Sequence, residues 1–236
     1  MKNNQLYQVR YFEVKSHNAF IEATIKLLSV GKIRYSEIKN DYLWLYHFEI
    51  NDEWKDYFVL AKGTIDKDTS LLNLKGVDDK PIFVRIDSGC MTGMIFGDRT
   101  CECKEQLEMA ISELKKKDFG FIIHIPKQDG RGMGIDFKLN TLTIQDETNQ
   151  DNISVSRQLA GISNIDKRNY YGSVAILKYF EINNVNIDIA TNNPQKIAIF
   201  EDNGYKILNR TPMIIKPSTL TDKHLNAKKE KLGHLL

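Results

Sequence analysis

Cys90, Cys101 and Cys103 are the only cysteines in the chain, and all lie in one stretch, CMTGMIFGDRTCEC. The spacing is C-x10-C-x-C. Three thiols are one short of a closed structural zinc site and odd for a disulfide framework. Zinc takes thiolate ligands in four-coordinate sites, and its catalytic sites use three protein ligands and keep the last position for water. Zinc deaminases of nucleobases use similar Cys/His sets. Cys90 follows an apolar run, PIFVRID, that reads as a strand. Cys101 and Cys103 precede an amphipathic run, KEQLEMAISELKKK, and N–H groups at a helix start favour thiolates. One reading is a hydrolytic zinc centre. The other is a structural zinc completed by a histidine, for which His124 in GFIIHIP is the best placed of the five.

Three further stretches carry chemistry. KQDGRGMG (Lys127 to Gly134) follows a strand-like run and sets three glycines around Arg131. Such a loop lets backbone approach a ligand while Arg131 supplies charge. TNNPQK (Thr191 to Lys196) sits where a strand feeds a helix, with Asn193 as N-cap and Pro194 in the first turn. Backbone N–H groups there suit phosphate, and Lys196 adds charge. IDKRNY (Ile165 to Tyr170) reads as a polar loop.

The elements that must position these residues fall into two parts. From Pro81 onward strand, loop and helix patterns repeat, with Leu107, Ala110, Ile111 and Leu114 on one helix face. GSVAILKYFEI reads as a helix, VNIDIAT as a strand, and LTDKHLNAKKEKLGHLL as a polar helical tail. Residues 1–80 are richer in aromatics. Tyr42, Trp44, Tyr46, Phe48 and Ile50 alternate as in a strand, Tyr57 to Ala61 reads as another, and HNAFIEATIKLLSVG as a short helix ending at Gly31. GVDDK (Gly76 to Lys80) marks a boundary, which gives a scaffold or oligomerisation part at 1–80 and a catalytic region at 81–236. The expected class is α+β, a mixed, α/β-like sheet with helices.

Composition sets wide limits. The chain has 236 residues, 42% hydrophobic and 27% charged, with a net charge of +2. That is ordinary for a globular domain; the net charge argues neither for nor against a nucleic-acid partner, and none is expected. There is no long apolar run for a membrane span. The first residues lack the apolar core of a signal peptide, so a reducing cytoplasmic setting is expected, where clustered cysteines point to metal or catalysis.

RIDSGCMTG, CEC with Gln106 after it, QDGRGMGI, IQD, DKRNY, TNNPQK and EKLGHLL resemble, in order and near-spacing, the motifs of GTP cyclohydrolase II. The resemblance runs from about Pro81 to the C-terminus. It implies that family's fold and a zinc hydrolase that opens the imidazole ring of GTP at C8, releasing formate and pyrophosphate on the way to riboflavin. It implies zinc on Cys90, Cys101 and Cys103. Nucleotide contacts would come from Arg85, Gln106, Asp129, Arg131, Thr191 and Lys196. Asp166 matches the proton acceptor and Arg168 the residue assigned as nucleophile on the α-phosphate. A guanidinium is effectively never deprotonated, so transition-state stabilisation is an alternative role for Arg168. Mg²⁺ is expected with the triphosphate, and a homodimer by resemblance.

The departures are specific. The family's S-E-C is Ser88-Gly89-Cys90 here, its Q-E-G-R is Gln128-Asp129-Gly130-Arg131, and the Arg before its C-D-C is Thr100, with Arg99 one place earlier. A Thr of the nucleotide site aligns with Asn152, and a Tyr ahead of Q-D falls at Leu142. Loss of a general acid or base typically costs about 10²–10⁴-fold. The alternatives are therefore a relative that retains the formyl group or takes another nucleotide, and a non-catalytic zinc or nucleotide-binding module.

Overall fold

Alternation of buried and exposed side chains builds the first half of the sheet. The computed structural model describes residues 8–16, 19–38, 40–51, 54–66, 69, 71–73, 80–183 and 185–236. Strands β1 (Val9–Ser16), β2 (Ala19–Arg34), β3 (Tyr42–Ile50) and β4 (Trp54–Lys62) are antiparallel neighbours. β2 corrects the helix expected over HNAFIEATIKLLSVG, as far as that stretch is described. Ala23, Ile25 and Leu27 are fully buried while Thr24 and Lys26 between them are only partly so. This period of two faces the side chains of β3, with Ile25 opposite Ile50 and Leu27 opposite Phe48. Helix-favouring Ala and Leu yield there to cross-strand packing, which a single-segment reading cannot see.

The second half alternates strands with helices. In chain order they are β5 (Ile82–Ser88), α1 (Met91–Met94), α2 (Cys103–Lys115), β6 (Gly120–Ile125), a 3₁₀ turn at Asp129–Gly132, α3 (Ile135–Thr148), α4 (Asn152–Ala160), α5 (Tyr171–Tyr179), β7 (Asn186–Ala190), α6 (Pro194–Glu201), β8 (Lys206–Thr211) and α7 (Asp222–Leu232). The eight strands form one mixed sheet in the order β1-β2-β3-β4-β6-β5-β7-β8. β4 meets β6 antiparallel, while β6, β5, β7 and β8 run parallel. The class is α+β with a mixed sheet. β1, β8, α3 and α4 are elements the sequence patterns do not announce. Most of the boundary stretch Gly76 to Lys80 lies outside the described residues.

The two sheet faces have separate cores. Ile82, Val84 and Ile86 of β5 join α5 and α6 on one face. Phe83, between them in sequence, points the other way to Ala110 and Leu114 of α2. α5 is buried along almost its whole length, as an apolar helix should be. Phe180, just past it, meets Tyr46 at 5.0 Å, Phe48 at 5.8 Å and Phe121 at 5.1 Å between ring centroids. One ring therefore packs β3 and β6 together. Phe180→Ala is expected to cost about 3–5 kcal/mol of stability, read from urea unfolding.

Candidate active site

Parallel strands leave their loops at one edge, and open α/β sheets bind ligands beyond their carboxyl ends. Cys90 follows β5, the Gln128 to Arg131 turn follows β6, and Thr191 to Lys196 follow β7. These segments line a cleft of about 210 Å³, which α2, α3, α4 and α7 also wall. Seven buried side-chain atoms without a partner among the described residues belong to residues lining it: Arg85 Nε, Ser88 Oγ, Glu102 Oε1, Gln128 Oε1, Gln145 Oε1, Asn152 Oδ1 and His224 Nδ1. Orphaned polar atoms are costly unless a ligand or water meets them, so their concentration marks a binding site.

The thiols come together. The sulfurs of Cys90, Cys101 and Cys103 lie within 4.8 Å of one another, with Cys90 and Cys101 3.7 Å apart. No fourth His, Cys, Asp or Glu among the described residues joins the group. His124, the alternative ligand, is instead hydrogen-bonded through Nδ1 to Asp87 at 2.8 Å. Gly93 explains how the sulfurs find room, since a Cβ there would stand 2.5 Å from Cys101 Sγ. Hydrogen bonds from Cys101 and Cys103, with Lys138 Nζ 2.9 Å away, hold the Cys90 thiol far below its ordinary value. Cys101 accepts help from Cys103, yet the Cys90 thiolate and burial push it up to about 11. Its two neighbours raise Cys103 further still. Three such sulfurs can all ionise only around a cation, and a thiophilic divalent ion fits this donor set.

The cations are held one by one. Arg85 is buried and donates to Ala190 O at 3.3 Å and to Asp87 at 3.4 Å. Lys196 donates to Ile86 O at 2.9 Å, and burial, then Arg85 and Arg168, lower it to about 7. Thr191 Oγ1 accepts from Asn193 N–H at 3.1 Å, and Asn193 caps α6 through Gln195 N–H. Arg131 reaches Ser156 Oγ at 3.2 Å from a left-handed backbone, φ 60°. Burial, then Arg168, lowers Arg131 to about 10. Arg168 grips Asp166 with Nε at 2.8 Å and a second nitrogen at 2.5 Å. Burial alone would raise the Asp166 carboxyl, but that fork holds it low and Arg168 charged. The two loops touch closely, because a Cβ on Gly132 would lie 3.1 Å from Arg168 N.

Of the residues singled out in the sequence, Arg85, Cys90, Cys101, Cys103, Gln106, Asp129, Arg131, Arg168, Thr191 and Lys196 line this cleft. Asp166 does not; it stands behind Arg168 with both oxygens engaged. Asp129 accepts from Met91 N–H at 3.2 Å and lies 3.6 Å from Lys138. Gln106 donates to Glu102 at 3.2 Å. Sequence patterns missed Lys138, Gln145, Ser156, His224, Lys228 and His234. Lys138, Thr141, Leu142 and Gln145 are spaced as one face of α3, a signal available once that helix is known.

Residues 36–212 match the family model described as GTP cyclohydrolase II. A GTP cyclohydrolase-2 of Picrophilus torridus is 35% identical over 185 residues, covering 78% of this chain and 88% of that protein. One of Campylobacter hominis is 35% identical over 171 residues, 72% of this chain and 84% of its own. The riboflavin biosynthesis protein RibBA of Endomicrobium trichonymphae is 36% identical over 180 residues, 75% of this chain but only 43% of that longer protein. The match begins well before Pro81, so β3 and β4 lie within it although the recognisable motifs do not reach them. This chain belongs to the GTP cyclohydrolase II family, a family of enzymes.

Proposed function

We propose that this chain opens the imidazole ring of GTP at C8 and cleaves pyrophosphate, as a zinc- and Mg²⁺-dependent enzyme of riboflavin biosynthesis. The observation that carries the reading is one cleft that joins a cluster of three thiols to a set of partly buried cations. Cys90, Cys101 and Cys103 would hold the zinc. When bound, zinc supplies Lewis acidity and brings proton loss from water toward neutral pH. Arg85, Arg131 and Lys196 bind the phosphates, and Thr191 with the start of α6 adds hydrogen-bond donors. Gln106 and Asp129 face the base. Arg168 is fixed in its charged form by Asp166, which suits it to stabilise charge developing at the α-phosphate better than to attack it. Asp166 then acts as ionised partner and proton acceptor. Residues 1–80 serve as scaffold, and two copies form a dimer.

A second reading concerns the product. Leu142 lines the cleft where the family has Tyr, and no tyrosine is among the lining residues described. Leu can neither give nor take a proton, so ring opening would stop with the formyl group retained. Metal-replete protein is incubated with GTP and Mg²⁺, and products are identified by mass spectrometry beside formate and pyrophosphate assays. Formate with pyrophosphate supports the full reaction. Pyrophosphate with a formylated product supports the second reading, and Leu142→Tyr should then release formate. Unchanged GTP sinks both.

Two further outcomes are expected. Gly93→Ala forces Cβ onto Cys101 Sγ, so zinc affinity should fall about tenfold or more, measured by competition with a chelating dye. Lys196 is charged below a pKa of about 7 and neutral above it. The kcat/KM for GTP should therefore fall as pH rises through about 7 in the free enzyme, and Lys196→Arg should flatten that limb.

A further inference from the structure

The C-terminal EKLGHLL has no role in the chemistry above, yet it ends inside the cleft. His224, Leu225, Lys228 and Leu232 of α7 line it, as do His234 and Leu236 beyond. Their positions are fixed. Ala227 and Leu232 pack with Ile153 of α4 and Ile165. Lys231 Nζ reaches Asp151 at 2.6 Å and Ser154 Oγ at 2.7 Å. Gly233 takes the left-handed conformation, φ 66°, and the chain turns there. It then crosses to the β7–α6 turn, where Leu235 N–H donates to Asn192 O at 2.9 Å and Arg210 to Leu235 O at 3.3 Å. The last residues thus sit beside the turn that presents Thr191 and Lys196.

The charge in this cleft is unbalanced. Arg85 is matched by Asp87, Arg168 by Asp166 and Lys138 by Asp129. Arg131, Lys196 and Lys228 make no ion pair among the described residues, and Lys228 makes no side-chain hydrogen bond either. His224 Nδ1 is buried without a partner. Burial, then Lys228, Arg168 and Lys196, push His234 down to about 3, as expected of an imidazole set among cations. Glu102 also lines the cleft and acts on Lys228 from beyond ion-pair distance. The cations still outnumber the carboxylates, and with two neutral imidazoles around the same space they suit a ligand with several negative charges.

We propose that α7 and the residues after it are part of the substrate site, and that Lys228, with His224 and His234, binds the polyphosphate of the nucleotide. This deepens the proposed function and rests on its reading of the cleft as a nucleotide site. α7 and the residues just after it then wall the site, and the sequence after Thr221 determines affinity for substrate.

The test uses full-length, metal-replete protein with inorganic tripolyphosphate in calorimetry and GTP in kinetics. Lys228→Ala is expected to weaken tripolyphosphate binding and raise the KM for GTP about tenfold or more, with kcat changed far less, and Lys228→Arg to recover most of both. Lys228→Gln keeps the side-chain stem and should follow Lys228→Ala, which separates charge from packing. Tripolyphosphate that fails to bind the unaltered protein overturns the proposal, as does equal binding by Lys228→Ala and Lys228→Gln. Lys228-dependent tripolyphosphate binding by a protein that leaves GTP intact upholds this inference and sinks the proposed function. GTP turnover with an unaltered KM in Lys228→Ala does the reverse.

Discussion

Like charges repel, and this fold gathers six basic side chains, Arg85, Arg131, Lys138, Arg168, Lys196 and Lys228, in one half-buried cleft. Everything around the cleft answers that problem. Arg85 and Arg168 are each tied to an aspartate two residues away in sequence. Lys196 instead gives a hydrogen bond to a β5 carbonyl and bears the cost as a pKa lowered to about 7. Arg131 has a serine hydroxyl and no ion-paired acid among the described residues. The rigid parallel strands β6, β5 and β7 make such crowding tolerable, because their apolar faces are anchored by α5 on one side and α2 on the other. Preorganised charge of this kind needs no rearrangement when an anionic ligand arrives.

The same economy runs through the sulfurs. Gly93 gives Cys101 its space, and Lys138 is the nearest cation to Cys90. Gly89, where the family has a carboxylate, is also a packing position. A Cβ there would stand 2.8 Å from Pro126 Cα and 2.9 Å from Ile125 O. The missing side chain is therefore matched by a close approach of the end of β6 and the proline that follows it. Asp129, one methylene shorter than the family's residue, is engaged by the Met91 N–H. The departures at Gly89 and Asp129 thus have local packing partners, while Leu142 brings none that replaces a hydroxyl.

Much of the site was readable in the sequence because its parts are local. C-x10-C-x-C, the QDGRG turn and TNNPQK each place their side chains within a few residues of a strand end, and the short-range signals of glycine, proline and asparagine suffice. The missed residues come from elements whose role is set at long range. Lys138 lies 48 positions from the Cys90 it contacts. α7 reaches the cleft only because α4 supports it. β2 was misread for the same reason, since its alternation gains meaning only opposite β3. Asp166 shows the converse: a motif put it in the site, and only the geometry of Arg168 shows that it faces that arginine.

Arg131 makes two demands that few residues satisfy together. Its backbone holds φ 60° while its side chain carries charge into the cleft. Glycine would relax the backbone and delete the charge, and asparagine would tolerate the conformation but offer no cation. Lysine would keep the charge but lose the planar fork, at the same backbone strain. The position is therefore closed to the gradual substitution by which loops usually drift. Changes in what this cleft accepts must come from its helical walls instead.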